Sequence, residues 1–127
     1  MGACRFLVEI EPEIRDWLGR LPPRQFLKAE ESVDLLADDP TMLGEPYARH
    51  LAGPVRELRF MLEGQATRLT YWLAPGRRVV LLTVFTKRRM RETAEVNRAV
   101  WAQKICEAEH GPAHDEFSRT VTEGELR

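Results

Sequence analysis

Between Val55 and Thr86 the chain keeps a two-residue period through three consecutive runs separated by short turns. In residues 55–62, VRELRFML, Leu58, Phe60 and Leu62 share one face, while Glu57, Arg59 and Met61 share the other. Residues 66–73, ATRLTYWL, place Leu69, Tyr71 and Leu73 opposite Arg68, Thr70 and Trp72. Residues 78–86, RVVLLTVFT, are apolar on both faces, the pattern of a strand covered from both sides. Glu63-Gly64-Gln65 and Ala74-Pro75-Gly76-Arg77 supply the turns, the second with Pro and Gly where a type II turn wants them. Alternation over lengths too short for a helix and joined by tight turns predicts an antiparallel meander. Everything else in the chain has to pack against it.

Residues 5–10 alternate as well: Phe6, Val8 and Ile10 stand against Arg5 and Glu9, which predicts a first strand. Pro12 pre-sets a helix start, with Glu11, Glu13 and Asp16 near the positive end of its dipole. Ile14, Trp17, Leu18 and Leu21 recur at helical spacing, and Pro22-Pro23 ends the run. A second helix is predicted from Arg24 to Ala37 on the stripe Phe26, Leu27, Val33 and Leu36, closed by Asp39-Pro40. Residues 38–54 hold three Pro and two Gly with no sustained period and read as a loop. After the cationic cluster Lys87-Arg88-Arg89-Met90-Arg91, Thr93 and Glu95 open a helix that runs to Glu109, before Gly111-Pro112. The predicted order is β-α-α-β-β-β-α, an α+β domain over residues 1–110, with residues 111–127 as a polar tail.

A chain of 127 residues that is 43% hydrophobic and 31% charged has enough apolar material for one core and is not disordered in composition. The uncharged run Leu69 to Gly76 falls far short of the roughly 20 apolar residues of a membrane span. The segment MGACRFLVEIEPE meets acids too early for a signal-peptide core, and Cys4 and Cys106 make no disulfide framework. The expectation is a cytoplasmic globular domain with no membrane partner.

A net charge of −1 hides an uneven distribution. Residues 1–40 carry −4 and residues 92–127 carry −4, whereas residues 41–91 hold ten Lys/Arg against three acids and carry +7. Such a block between acidic flanks implies one positive surface for a polyanion, or a solvated basic hairpin. No phosphate-binding glycine loop appears, and His50, His110 and His114 do not sit at zinc spacings with the cysteines, so neither metal nor cofactor is expected.

Alternation gives the cations an arrangement. Glu57 and Arg59 share the polar face of one strand, Arg68 the polar face of the next, and Lys87 and Arg88 lie where the last strand exits, with His50 in the preceding loop. Several cations around a carboxylate or imidazole suit phosphodiester cleavage, in which one group takes the ribose 2′-OH proton and arginines stabilise the phosphorane. The same residues equally form plain cross-strand ion pairs.

The stretch His50-Leu51-Ala52-Gly53-Pro54-Val55-Arg56-Glu57-Leu58-Arg59-Phe60, then Arg68-Leu69-Thr70-Tyr71, then Val84-Phe85-Thr86-Lys87-Arg88 and its following helix, resembles the RelE/ParE toxin superfamily, in its HigB-like branch. The shared landmarks are Leu-x-Gly, Glu-Leu-Arg, Arg-x-x-Tyr and Phe-x-Lys-[Lys/Arg], in order over residues 5 to about 108. The resemblance implies a RelE-like fold and the toxin of a type II toxin–antitoxin pair, a metal-free, ribosome-dependent mRNA endonuclease (mRNA interferase). It also implies a cognate antitoxin, of helix-turn-helix type, that masks the 56–91 basic region.

Carried over by position, Arg59, Arg68 and Arg88 fall where relatives bind phosphate and stabilise the transition state, with His50 or Glu57 as the proton-handling group. Of these two, His50 is favoured, because an exposed glutamate between Arg56 and Arg59 is ion-paired. Arg56, Lys87, Arg89, Arg91 and Tyr71 are expected to contact RNA. Where some relatives have a lysine base this chain has Glu57, and for their late Tyr or His the nearest counterparts are Asn97, Tyr71, His110 and His114. Two alternatives share the fold: a gyrase-poisoning ParE-like toxin, and a non-catalytic nucleic-acid- or protein-binding module.

Overall fold

In a computed structural model of the chain, the described residues are 5–109, 121 and 123–126. The order is β1 (Leu7–Ile10), α1 (Pro12–Arg20), α2 (Pro23–Asp38), β2 (Ala48–Ala52), β3 (Val55–Leu62), β4 (Gln65–Ala74), β5 (Arg78–Thr86) and α3 (Thr93–Glu109). The expected α+β class and element order are present. One addition is β2, which occupies the end of the segment expected to be a loop.

The five strands form one sheet in the order β1-β5-β4-β3-β2. The meander β2 to β5 is antiparallel throughout, and β1 joins it parallel to β5, with Leu7 opposite Arg78 and Ile10 opposite Leu81. The chain therefore crosses from one edge of the sheet to the other through the α1–α2 hairpin. Pro12 and Pro23 each sit in a first helical turn, where the missing N–H costs no intrahelical bond. Glu63 and Gly64 both adopt positive φ between the paired residues Leu62 and Gln65, the two-residue loop whose twist matches that of the strands it joins.

Alternation divides the sheet into two cores. On the hairpin side, Leu58, Phe60, Leu69, Tyr71, Val79 and Leu81 pack with Ile14, Phe26 and Leu36. On the other side, Val55, Trp72, Val80 and Leu82 pack with Ala99 and Cys106 of α3. Burial pushes the Cys106 thiol above its ordinary value. Of the tail, Val121 packs against the hairpin-side core, and residues 123–126 form a short 3-10 turn whose Leu126 carbonyl accepts from Arg24 Nη2 at 2.7 Å.

A bulge in β5 was hidden by its apolar composition. The register steps from Thr70 opposite Thr83 to Tyr71 opposite Leu81, which leaves Leu82 without a partner. Thr70 Oγ1 accepts the Thr83 N–H at 3.1 Å and lies 2.6 Å from the Thr83 hydroxyl, stitching the irregularity shut. The extra residue reverses the phase of the strand beyond it. Val84 turns to the hairpin core, and Phe85 lies opposite Arg68 on the α3 side.

Candidate active site

Glu57 of β3 stands opposite Thr70 of β4 and opposite Arg49 of β2, and Arg59 stands opposite Arg68. Period two then places Arg49, Glu57, Arg59 and Arg68 on the α3 side of the sheet, beyond the N-terminal end of that helix. Their heads meet at one atom: Glu57 Oε2 lies 3.8 Å from the Nε of Arg49, of Arg59 and of Arg68. The three ion pairs are long. Arg68 Nη1 donates to the Thr67 carbonyl at 3.1 Å, but the buried Nε atoms of Arg59 and Arg68 have no hydrogen-bond partner. Side-chain exposure rises outward across the strands, from 9% at Arg68 to 25% at Arg59 and 50% at Arg49. Burial, followed by the charge of Arg59, pushes the Arg68 guanidinium below its ordinary value against the pull of Glu57.

The other wall is the turn between β5 and α3. Lys87 Nζ donates to the carbonyls of Arg89 (2.6 Å) and Met90 (3.2 Å), and Glu92 Oε1 accepts the N–H groups of Arg88 and Arg89, both at 2.7 Å. One cation binds the turn's carbonyls and one anion binds its amides, and the amide bonds hold the Glu92 carboxyl below its usual range. Between this turn and the sheet lies a cleft of about 270 Å³. Arg49, Glu57 and Arg59 line one wall, and Lys87, Arg91 and Glu92 the other. The cluster brings three guanidinium groups to one carboxylate, leaving a surplus of positive charge and two buried Nε donors without a hydrogen bond. That surplus suits a phosphate, whose oxygens accept from arginine forks with charge assistance.

The model of the phage-derived protein Gp49-like family matches residues 16–106, a span that contains every residue of this cleft. The chain belongs to the Gp49-like family. Comparison with curated proteins gives no significant match. Among solved structures, the fold is similar to that of the E. coli toxin RelE, a mutant in the free state, with a TM-score of 0.55 and 14% identity over 80% of this chain and 98% of the other. The Gp49-like chain thus has the RelE fold that its sequence landmarks imply.

Set against the expectations from sequence, this Gp49-like structure brings Glu57, Arg59 and Arg68 onto one face, with Lys87 and Arg91 across the cleft. Glu57, expected to be exposed, is buried among the arginines. His50 requires correction. It belongs to β2 and not to a loop, it stands opposite Arg56, and alternation turns it to the face away from Glu57. Its Nε2 lies 2.8 Å from the Gly53 carbonyl.

Tyr71 requires correction too. It is fully buried in the hairpin-side core, so its ring is not available to stack on RNA, and its hydroxyl accepts from Arg56 Nε at 3.3 Å. Arg56 shares that side of the sheet. Arg88 and Arg89 have exposed side chains that do not line the cleft, and they contribute backbone amides to the turn. Asn97 is exposed on α3, while His110 and His114 lie outside the described residues. No group of three metal-ligating side chains occurs among the described residues, and none of their helices is long and apolar enough to cross a membrane.

The residue that sequence reading missed is Arg49. Its signal was present: Gly53 lies between two short runs, and folding Ala48–Ala52 back onto Val55 through it sets Arg49 opposite Glu57.

Proposed function

We propose that this protein is the toxin of a toxin–antitoxin pair and that it inhibits translation by cleaving mRNA on the ribosome with side-chain chemistry. The observation that carries the reading is the convergence of three arginine Nε atoms on Glu57, with the Nε donors of Arg59 and Arg68 buried and unpartnered. Charged groups that are already desolvated favour charge that develops in a transition state over charge that water solvates well. Membership in the Gp49-like family and the RelE fold support it.

In this mechanism the scissile phosphate lies in the cleft against Arg59, with the charge of the buried Arg68 behind it. The 2′-oxygen attacks phosphorus as its proton leaves, the arginines stabilise the dianionic phosphorane, and the bond from phosphorus to the 5′ oxygen breaks. The products are a 2′,3′-cyclic phosphate and a 5′-hydroxyl, the latter protonated from water at the open mouth of the cleft. Of the two carboxylates lining the cleft, Glu92 is committed to backbone amides. Glu57 is ion-paired, as expected, but at 3.8 Å and with no backbone amide bound to it, so it both aims the arginines and is the carboxylate placed to take the 2′-OH proton. An antitoxin segment that is acidic or apolar covers the same basic face and blocks substrate entry.

The test is induced expression of the wild type and of Arg68→Ala, with primer extension on cellular mRNA. Wild type should arrest growth and leave cuts within translated codons, and Arg68→Ala should do neither. Growth arrest with intact mRNA, or cuts that persist in Arg68→Ala, refutes the reading.

A further inference from the structure

Arg49 differs from the two inner arginines in a way that assigns it separate work. It stands on β2, the edge strand, and although its Nε lies as close to Glu57 Oε2 as theirs, half of its side chain is exposed. The cleft leads away from the buried pair in its direction. Arg59 and Arg49 line it, Arg68 does not, and its far wall carries Arg91. Between these charges the cleft exposes apolar surface from Leu51, Met90 and Val96, with Met90 almost wholly in solvent. Cations beside exposed apolar side chains are the two halves of a nucleotide's chemistry: phosphate oxygens seek the guanidinium groups, and the face of a base seeks the apolar surface.

We infer that this cleft is a subsite for the nucleotide adjacent to the scissile phosphate, and that Arg49 holds that nucleotide's phosphate. The inference rests on the ribonuclease reading of the same site and adds a residue and a role to it. A solvated guanidinium gains little from charge that develops during reaction, whereas it gains a phosphate contact as soon as RNA binds. Arg49 accordingly acts on substrate binding and the inner arginines on the chemical step.

A short single-stranded 2′-O-methyl oligoribonucleotide, which lacks the attacking hydroxyl, isolates binding from cleavage. Its dissociation constant is measured against salt concentration for wild type, Arg49→Ala, Arg49→Lys and Arg15→Ala, the last on the distant helix α1. Arg49→Ala should weaken binding about tenfold, the loss of one charge-assisted contact. It should also flatten the slope of log K against log salt by about 0.7, the share of one phosphate contact on a single strand. Arg49→Lys, which keeps the charge, should retain the slope, and Arg15→Ala should match wild type. In cleavage assays Arg49→Ala should raise KM and leave kcat within about twofold, the signature of lost uniform binding.

If Arg49→Ala binds with wild-type affinity and slope, Arg49 serves only to pair Glu57 and the inference is wrong while the ribonuclease reading stands. If Arg49→Lys loses the slope as Arg49→Ala does, the effect is structural and the inference is also wrong. A wild-type protein that neither binds the oligonucleotide nor cleaves mRNA overturns both.

Discussion

Arg59 and Arg68 stand directly opposite one another across β3 and β4, two like charges in a cross-strand pair, with the single carboxylate of Glu57 3.8 Å from the Nε of each. Like charges in that relationship repel, and burial sharpens the repulsion by removing the water that screens it. One carboxylate offsets one charge. The remainder is a cost to the fold that a bound anion would relieve.

Replacing Arg68 by methionine tests this opposition between stability and activity. Arg68→Met keeps the length of the stem and removes a buried charge whose Nε has no partner. Glu57 keeps Arg49 and Arg59 as partners, so the change relieves like-charge repulsion without orphaning the carboxylate, and the melting temperature should hold or rise. Cleavage should fall on the order of a hundred- to thousand-fold, the usual effect of deleting one donor to developing charge. A variant that melts well below wild type shows that Arg68 is needed by the fold itself.

His50 and Glu57 separate by the same logic. His50→Gln should cleave within about twofold of wild type, because the ring lies on the face of the sheet away from Glu57 and meets the Gly53 carbonyl. Glu57→Gln keeps the size and one oxygen but loses the titrating group and the ion pairs. Cleavage should drop steeply, and the shape of its pH–rate profile should change. An unchanged profile in Glu57→Gln removes it from proton transfer and leaves it the positioning of the arginines.

How far the sequence alone led is clearest at β3 and β4. Strict alternation in VRELRFML and ATRLTYWL placed Arg59 and Arg68 on one face and Tyr71 on the other, because a one-residue slip would move every side chain to the opposite face. The Arg-x-x-Tyr landmark argued for Tyr71 as an RNA contact, and alternation was the better guide: three residues from Arg68 is the opposite face. Arg49 was missed and His50 misplaced for a different reason. β2 has only five residues and its register shifts between His50 and Ala52, so no period was visible to separate the two side chains. The bulge at Leu82 escaped because valines and leucines on both faces of β5 read the same in either phase.

That bulge gives a stability prediction. Thr70 is fully buried, and its hydroxyl accepts the Thr83 N–H while bonding the Thr83 hydroxyl. Thr70→Val preserves shape and leaves the Thr83 amide unsatisfied. Chemical denaturation should show a loss of about 1–3 kcal/mol, the desolvation penalty of an orphaned buried donor. Thr83→Val removes only the hydroxyl partner and should cost less. Equal losses, or none, contradict the assignment of Thr70 as the acceptor that closes the bulge.

The turn over the cleft should respond to acid through Glu92. Its carboxyl is held below the usual carboxylate range, first by the N–H groups of Arg88 and Arg89 and also by the nearby charges of Lys87 and Arg89. A group whose folded-state proton affinity is lowered stabilises the fold wherever it is ionised in both states, and that contribution is lost as pH falls through its folded value. The turn should therefore be held at neutral pH and should loosen only at pH values below the ordinary glutamate range. Hydrogen exchange at the Arg88 and Arg89 amides, corrected for the intrinsic pH dependence of exchange, reads this directly. Protection should be constant from neutral pH down to that range and should fall beneath it. Glu92→Gln, which carries no charge at any pH, should show weaker protection already at neutral pH and no transition in acid. Protection in wild type that declines between pH 7 and 5, above the range in which Glu92 titrates, assigns the turn to some other group and overturns the prediction.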